Sequence, residues 1–406
     1  MATIFEAKDG APAVLLDLTR LGPGGYCTST ARSLGARVIK VEDPRLGDYA
    51  REVHMMPGVD AGPESPSAFF RMLSLGKESV ALDLKSTAGR AAFLSLVERA
   101  DVVVEQFRPG VMDRLGLGWA ELHARNPRLV MCSITAFGQD SPFRDDAAHD
   151  INVMGLSGLL EAIAAGRRAG STRQGPQIVG VQLGDAVAGL AALTAILGGL
   201  YARSNHGRGA WIDVSMYDAL LSLPTVEAAE YAEAGRVARP GEGMLDGAYA
   251  CYNLYRTGDD GWLAVGAFEE KFWKQFCTLL EQPEWIVLQR DLERQESLMR
   301  EVAELIASRP LDEWLAVFAG SDCCVSPVRS FDAALEDEHA RRRRLWKQSD
   351  GMEQPTPFTF ADGFELLRGG VAPERGEHTG DILGELGVDP ELIAQALADS
   401  AATSSS

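Results

Sequence analysis

A chain of 406 residues, 46% hydrophobic and 24% charged, has a globular composition and enough apolar material for a sizeable core, in two or three domains or one elaborated one. Its 58 acidic residues outnumber 39 basic ones for a net charge of −19, which argues against an extended grip on nucleic acid or on an anionic membrane. A phosphorylated small molecule stays open as a partner wherever basic residues concentrate locally.

The N-terminal MATIFEAKDGAPA has no charged region followed by a sustained apolar run, so it does not read as a secretory signal. Five short β-branched runs follow: AVLLDL (13–18), RVIKVE (37–42), SVALDL (79–84), DVVVEQF (101–107) and RLVMCSI (128–134). Helix-like segments such as GRAAFLSLVERA separate them, and this alternation predicts βαβ units, a parallel sheet and an α/β fold. GDAVAGLAALTAILGGLYARS (184–204) is apolar on nearly every face, which predicts a deeply buried helix. No window holds 18 uninterrupted apolar residues, so no transmembrane span is predicted. The strand-like GAWIDVSM (209–216) closes a first domain over 1–215.

Beyond it the texture changes. A partly helical linker over 216–240 leads to a small α/β domain over 241–335, in which YNLYRTGDDGWLAVGA predicts a hairpin turning through Gly258, Asp259, Asp260 and Gly261. A second linker over 336–358 carries the basic run Arg341 to Arg344, a further segment spans 359–395, and ADSAATSSS predicts a disordered tail over 396–406. The six cysteines (27, 132, 251, 277, 323 and 324) lack CxxC or metal-ligand spacing, which predicts reduced thiols in a cytoplasmic protein without a metal site; the adjacent Cys323 and Cys324 read as core packing.

Several stretches carry candidate chemistry. Gly22, Gly24 and Gly25 lie between a strand and a helix, and Glu42 ends the next strand, as in a dinucleotide site. Cys27 at the third glycine position and the stiff Pro23 argue against that reading. EQFRPGVMDRLGLG sets Arg108 and Arg114 beside a presumed C-terminal sheet edge, where guanidiniums suit an anionic ligand. In DDAAHDINVMGLSGLL, Asp150 is a candidate helix N-cap, while His149 offers the side chain type that titrates nearest neutrality. Asp185 opens the apolar helix, as a cap or as a reactive carboxylate. Glu269 in AVGAFEEKFW follows a strand at a helix start.

Taken together and in order, LDLTRLGPGGYCT, LGARVIKVEDP, FRPGVMDRLGLG, NPRLVMCSITAFGQDSP, AHDINVMGLSG, LGDAVAG, GRGAWIDVSMYDA and GMLDGAYACYNLY resemble the class III CoA-transferase superfamily (the CaiB/BaiF type), and within it the α-methylacyl-CoA racemase branch. The His149 to Asn152 and Met244 to Gly247 elements carry the racemase likeness, and PGEGMLDG lacks the glycine run typical of the transferases. The resemblance implies a Rossmann-like large domain, completed by segment 359–395 and joined by long linkers to the small domain, in an interlocked homodimer. It implies a racemase that inverts the α-carbon of 2-methylacyl-CoA thioesters through an enolate, with no cofactor beyond the coenzyme A of the substrate. His149 and Asp185 become the two acid–base residues, Glu269 of a second subunit orients His149, and the Asp150 N–H meets the enolate oxygen. Gly22, Pro23, Arg45, Lys77, Arg108 and Arg114 become the CoA-binding set. The alternatives are a CoA-transferase acting through an anhydride on Asp185, and a non-catalytic CoA-binding dimer. Asp43 stands where the family often has an arginine, and Phe143, Met154, Met244 and Tyr249 are open between acyl pocket and core.

Overall fold

The computed structural model describes residues 3–6, 10–53, 66–163, 175–343, 345, 357–360 and 362–404. Most of the linker expected over 336–358 lies outside these, as does Arg344. Six strands, β1 (Val14–Asp17), β2 (Arg37–Glu42), β3 (Glu78–Ala81), β4 (Val102–Glu105), β5 (Val130–Thr135) and β6 (Ala210–Ser215), pair in parallel in the order β3-β2-β1-β4-β5-β6. The inner strands read as apolar on both faces because both faces are covered; β4, VVVE, is buried along its whole length, whereas edge strand β6 leaves Trp211 exposed. The order reverses between β1 and β4, which opens a crevice at the carboxyl edge of the sheet, the usual ligand position in such folds.

Strand alternation divides the core. Leu16, Ile39, Val80, Val103 and Met131 pack on one face under helices Thr87–Val97 and Pro390–Ser404. Leu15, Val38, Val102, Val130 and Cys132 pack on the other, with helices Gly22–Ser33 and Leu183–His206. Those two helices approach closely: a Cβ on Gly189 would sit 2.7 Å from the Pro23 carbonyl oxygen.

Helix Leu183–His206 departs from its expected burial. It buries Gly184, Ala188, Gly189, Ala192, Leu193 and Ile196, and leaves Tyr201 73% exposed, because one chain covers one side of a helix that is apolar nearly all round. By length and a mean hydropathy of 1.7 it is also long and apolar enough to cross a membrane, contrary to expectation; here its buried side packs into the sheet core. The disordered tail expected over 396–406 is likewise corrected as far as residue 404, with 405–406 outside the described residues. The chain stays helical through Ser404, since Ala396 is buried in the same core as Ala88 and Ala92, and tertiary packing overrides the polar composition.

The C-terminal segment also closes the sheet edge. His378 accepts the Ser79 N–H at its Nδ1 (3.2 Å) and donates its own N–H to the Ser79 carbonyl (2.9 Å), while Thr379 Oγ1 accepts the Ala81 N–H (3.0 Å). These bonds occupy backbone groups that an open edge strand would expose.

The chain divides into one compact unit of Met1–Ser157, Gly180–Leu223 and Asp337–Ser406, and a second of Gly158–Val179 and Pro224–Glu336. The second holds the predicted hairpin, β7 (Tyr252–Arg256) and β8 (Trp262–Gly266), extended by antiparallel β9 (Val325–Pro327). Its core is built on Trp273, Phe276, Trp314 and Phe318, with both indole N–H groups satisfied by carbonyls. Cys323 is buried in it, whereas Cys324 is exposed at φ 52°, so only the first of the pair is a packing residue. All six cysteines are free.

Candidate active site

The turn after β1 rests on a buried ionic network. Asp17 accepts the Thr19 N–H and hydroxyl at one oxygen (2.9 and 2.6 Å) and, at the other, Lys77 Nζ (2.9 Å) and the Thr28 hydroxyl (2.8 Å). Lys40 Nζ donates to the Thr19 carbonyl (2.8 Å) and pairs with Asp48 (2.7 Å), whose other oxygen accepts the Leu21 N–H (3.1 Å). Burial would push the Asp17 carboxyl up, yet Lys40 and Lys77 hold it well below the usual carboxylate range. Lys77 is thus withdrawn from the CoA-binding set: its ammonium is spent inside the protein, with the side chain 1% exposed. Pro23 is buried too, and acts by packing.

Leu21 then takes the strained φ of 60°, and Gly22 begins the helix Gly22–Ser33 with its Cα against Asp185. A Cβ at position 22 would fall 2.1 Å from Asp185 Oδ2, so only glycine admits the carboxylate there. Asp185 is the third residue of helix Leu183–His206. Its backbone N–H donates to Asp150 Oδ1 (3.1 Å). Asp150 therefore does not cap its own helix, Asp150–Leu156; the N-cap is His149, whose N–H donates to Asn152 Oδ1 (3.0 Å). The Asp150 side chain instead ties the two helix starts together, and Gly184 leaves room for it.

Burial, reinforced by the Asp150 charge and opposed by His149, pushes the Asp185 carboxyl up to about 6. An acid whose folded value exceeds its unfolded value contributes most stability below its ordinary range near 4 and loses it as pH rises through 6. Asp185→Asn is therefore expected to raise the thermal midpoint above pH 7 by a few degrees, with the gain vanishing below about pH 4. Thermal scans of both proteins at pH 4 and pH 8 check this.

A cavity of about 300 Å³ opens at the sheet edge, its walls including Gln106, Arg108, Thr135, Phe137, Arg144 and His149; Asp185 is not among them. Gln106 is fixed by the Gly24 N–H (3.1 Å) across the reversal point between β1 and β4. Around Gly110 the cations gather: a Cβ there would lie 3.3 Å from an Arg114 nitrogen and 4.0 Å from one of Arg144. Arg20 lies over the Tyr49 ring (4.9 Å) and near that of Phe107 (5.9 Å). Arg45 is exposed on the loop after β2, where Asp43 accepts the Arg45 and Leu46 N–H groups as a turn former. In a chain of net charge −19, this concentration suits a polyanion. Arg20 and Arg144 were not singled out from the sequence; Arg144 sits in SPFRDDAAHD, five residues before His149. Of the candidate acyl-pocket residues, Met154 is core, while Phe143 stands exposed with its ring 5.6 Å from that of Phe137 in the cavity wall. Glu269 is exposed in the second unit, at the N-cap of helix Glu270–Leu279; Met244 and Tyr249 also lie in that unit.

The model for CoA-transferase family III matches residues 13–379. The chain belongs to that family. Two relatives show the chemistry that CoA-transferase family III spans. The chain is 31% identical to alpha-methylacyl-CoA racemase of Homo sapiens, covering 95% of each chain. It is 30% identical to succinyl-CoA:mesaconate CoA-transferase of Haloarcula hispanica, over 92% of this chain and 95% of that one. Among solved structures, a CAIB/BAIF family protein from Brucella suis superposes with a TM-score of 0.80 at 27% identity, over 95% of this chain and all of the other.

Proposed function

We propose that this family III enzyme is a racemase of 2-methylacyl-CoA thioesters. The observation that carries the reading is the convergence of two helix starts, one bearing His149 and the other Asp185, linked by the Asp150 carboxylate. Inverting a carbon next to a thioester carbonyl needs a base on one face and an acid on the other, and one residue does not serve both. Asp185, with its carboxyl near 6, exchanges a proton readily at neutral pH. His149 serves the opposite face. The first-turn Asp150 N–H meets the enolate oxygen, and Arg108, Arg114 and Arg45 supply cations to the CoA phosphates.

A second reading, CoA transfer through an acyl anhydride on Asp185, draws support from the 30% identity to a transferase. Incubation in D2O with one epimer of a 2-methylacyl-CoA separates the two. α-Proton exchange with formation of both epimers is expected; efficient CoA transfer to free acids without exchange would sink the racemase.

The working form is a homodimer in which Glu269 of a second copy orients His149. The exposed Tyr201 and Leu221 on the first unit, and Tyr231 and Phe331 on the second, are apolar side chains that a second copy would cover. A His149→Ala chain refolded together with a Glu269→Ala chain should regain activity, since each mixed dimer then holds one unmutated site. A fully active monomer would contradict the shared site.

A further inference from the structure

A row of polar side chains that the proposed mechanism does not use crosses the end of the sheet. Trp211 Nε1 on β6 donates to Ser133 Oγ on β5 (2.9 Å), Ser133 stands opposite Glu105 in the β4–β5 register and draws its carboxyl down, and Glu105 Oε2 accepts the Phe107 N–H (2.8 Å). Glu105 is 3% exposed, in the wall of a second cavity of about 230 Å³ that also includes Arg108, Trp119 and Trp211. An apolar residue would end the VVVE strand at lower cost, since a buried carboxyl is expensive unless its bonds are made. What the carboxyl adds is a fixed acceptor for the loop that follows. That loop places Gln106 on the Gly24 N–H and Arg108 in the walls of both cavities.

We propose that Glu105 is a positioning residue for ligand binding: the row Trp211–Ser133–Glu105–Phe107 holds the 106–109 loop so that Arg108 meets the phosphates of a CoA thioester. The proposal rests on the acyl-CoA reading of the cavity beside Arg108. Glu105 has a charge of its own to contribute. Burial pushes its carboxyl up to about 7, with Ser133 and the Phe107 N–H pulling down and the acidic Asp213 and Asp113 pushing further up. The groups around it are Asp113 from helix Val111–Arg114, Asp213 from β6, the buried Cys132 from β5, and Arg108 across the cavity. Below about pH 7 Glu105 is neutral; above it, a negative charge shares the wall with Arg108 and opposes a polyanion.

Two measurements on wild type, Glu105→Gln, Glu105→Ala and Ser133→Ala test this: calorimetric binding of free coenzyme A between pH 6 and 8.5, and hydrogen exchange of the amides of Gln106, Phe107, Arg108 and Gly110. Glu105→Ala should weaken coenzyme A binding about tenfold and speed the exchange, with Ser133→Ala falling between it and wild type. Glu105→Gln, which keeps an acceptor for the Phe107 N–H, should retain protection and bind within about twofold at pH 6. Above pH 7 it should bind up to about threefold more tightly than wild type, a pH-dependent difference that a merely structural role would not produce. Unchanged exchange in Glu105→Ala overturns the proposal, as does faster exchange with unaltered affinity, or a Glu105→Gln protein as impaired as Glu105→Ala. Should Glu105→Ala fail to fold, Ser133→Ala and Glu105→Gln decide by the same criteria. If wild type does not bind coenzyme A, the acyl-CoA reading falls with it, and the exchange data alone then report whether Glu105 holds the loop.

Discussion

Deuterium uptake from the two epimers of a 2-methylacyl-CoA is expected to diverge in the single mutants. If His149 and Asp185 each take the proton from one face only, His149→Ala spares initial exchange from the epimer whose proton faces Asp185, and Asp185→Asn spares the opposite epimer. The affected direction should fall by about 10² to 10⁴, the usual contribution of a positioned acid–base group. Overall racemisation must fall equally both ways, because the equilibrium constant belongs to the substrate. Initial deuterium content, read before inversion mixes the epimers, is the measurement. Equal losses from both epimers in both mutants would argue against two bases. Complete loss in Asp185→Asn beside near-normal His149→Ala would point to a nucleophilic aspartate and the transferase.

The second large effect concerns stability. Lys77→Met leaves Asp17 fully buried with one of its two cations gone, and removing one partner of a buried pair typically costs about 3–5 kcal/mol. Urea titration followed on the unit that contains the six-stranded sheet should show a loss of this size, and the Asp17→Asn/Lys77→Met double mutant should cost less than the two single losses summed. The sign with pH follows from the depressed Asp17 carboxyl. Its contribution is present above the ordinary Asp range near 4 and drains away as pH falls towards the much lower folded value. The gap between wild type and Lys77→Met should therefore narrow in acid. A gap unchanged between pH 7 and pH 3 would show that lost packing, not charge, sets the cost.

What the sequence makes legible here is what short-range pattern encodes. RVIKVE and RLVMCSI announce buried strands because burial on both faces demands apolar runs, and the reversal of strand order places the Arg108 loop at the sheet edge. Interactions between distant positions are not announced. Lys77 looks like a surface cation in SLGKES; its partner Asp17 lies 60 residues earlier, and no periodicity links them. Asp150 obeys the composition rule for a helix start, but serves a helix 35 residues downstream. Glu105 passes for a strand-ending polar residue, because the polar groups beside it, Ser133 and through it Trp211, come from two other strands. The polar run 398–404 fails the composition test for order, and is helical where the core around Ala88 and Ala92 receives the neighbouring Ala396.

The return of the C-terminal segment to β3 bears on how the protein is made. Residues 224–336 leave the ribosome as one nearly complete unit, whereas the sheet on either side in sequence stays unfinished until helix Pro390–Ser404 emerges. At synthesis rates of about 5–20 residues per second, roughly 10–35 s pass between residue 223 and residue 404. Until residues 378–379 emerge the nascent sheet carries an open β3 edge, and until Ala396 emerges an uncovered patch around Ala88 and Ala92, a surface that invites chaperones or aggregation. A chain cut short before helix Pro390–Ser404 would therefore lose more solubility during translation than one with a deletion of equal length in an exposed loop.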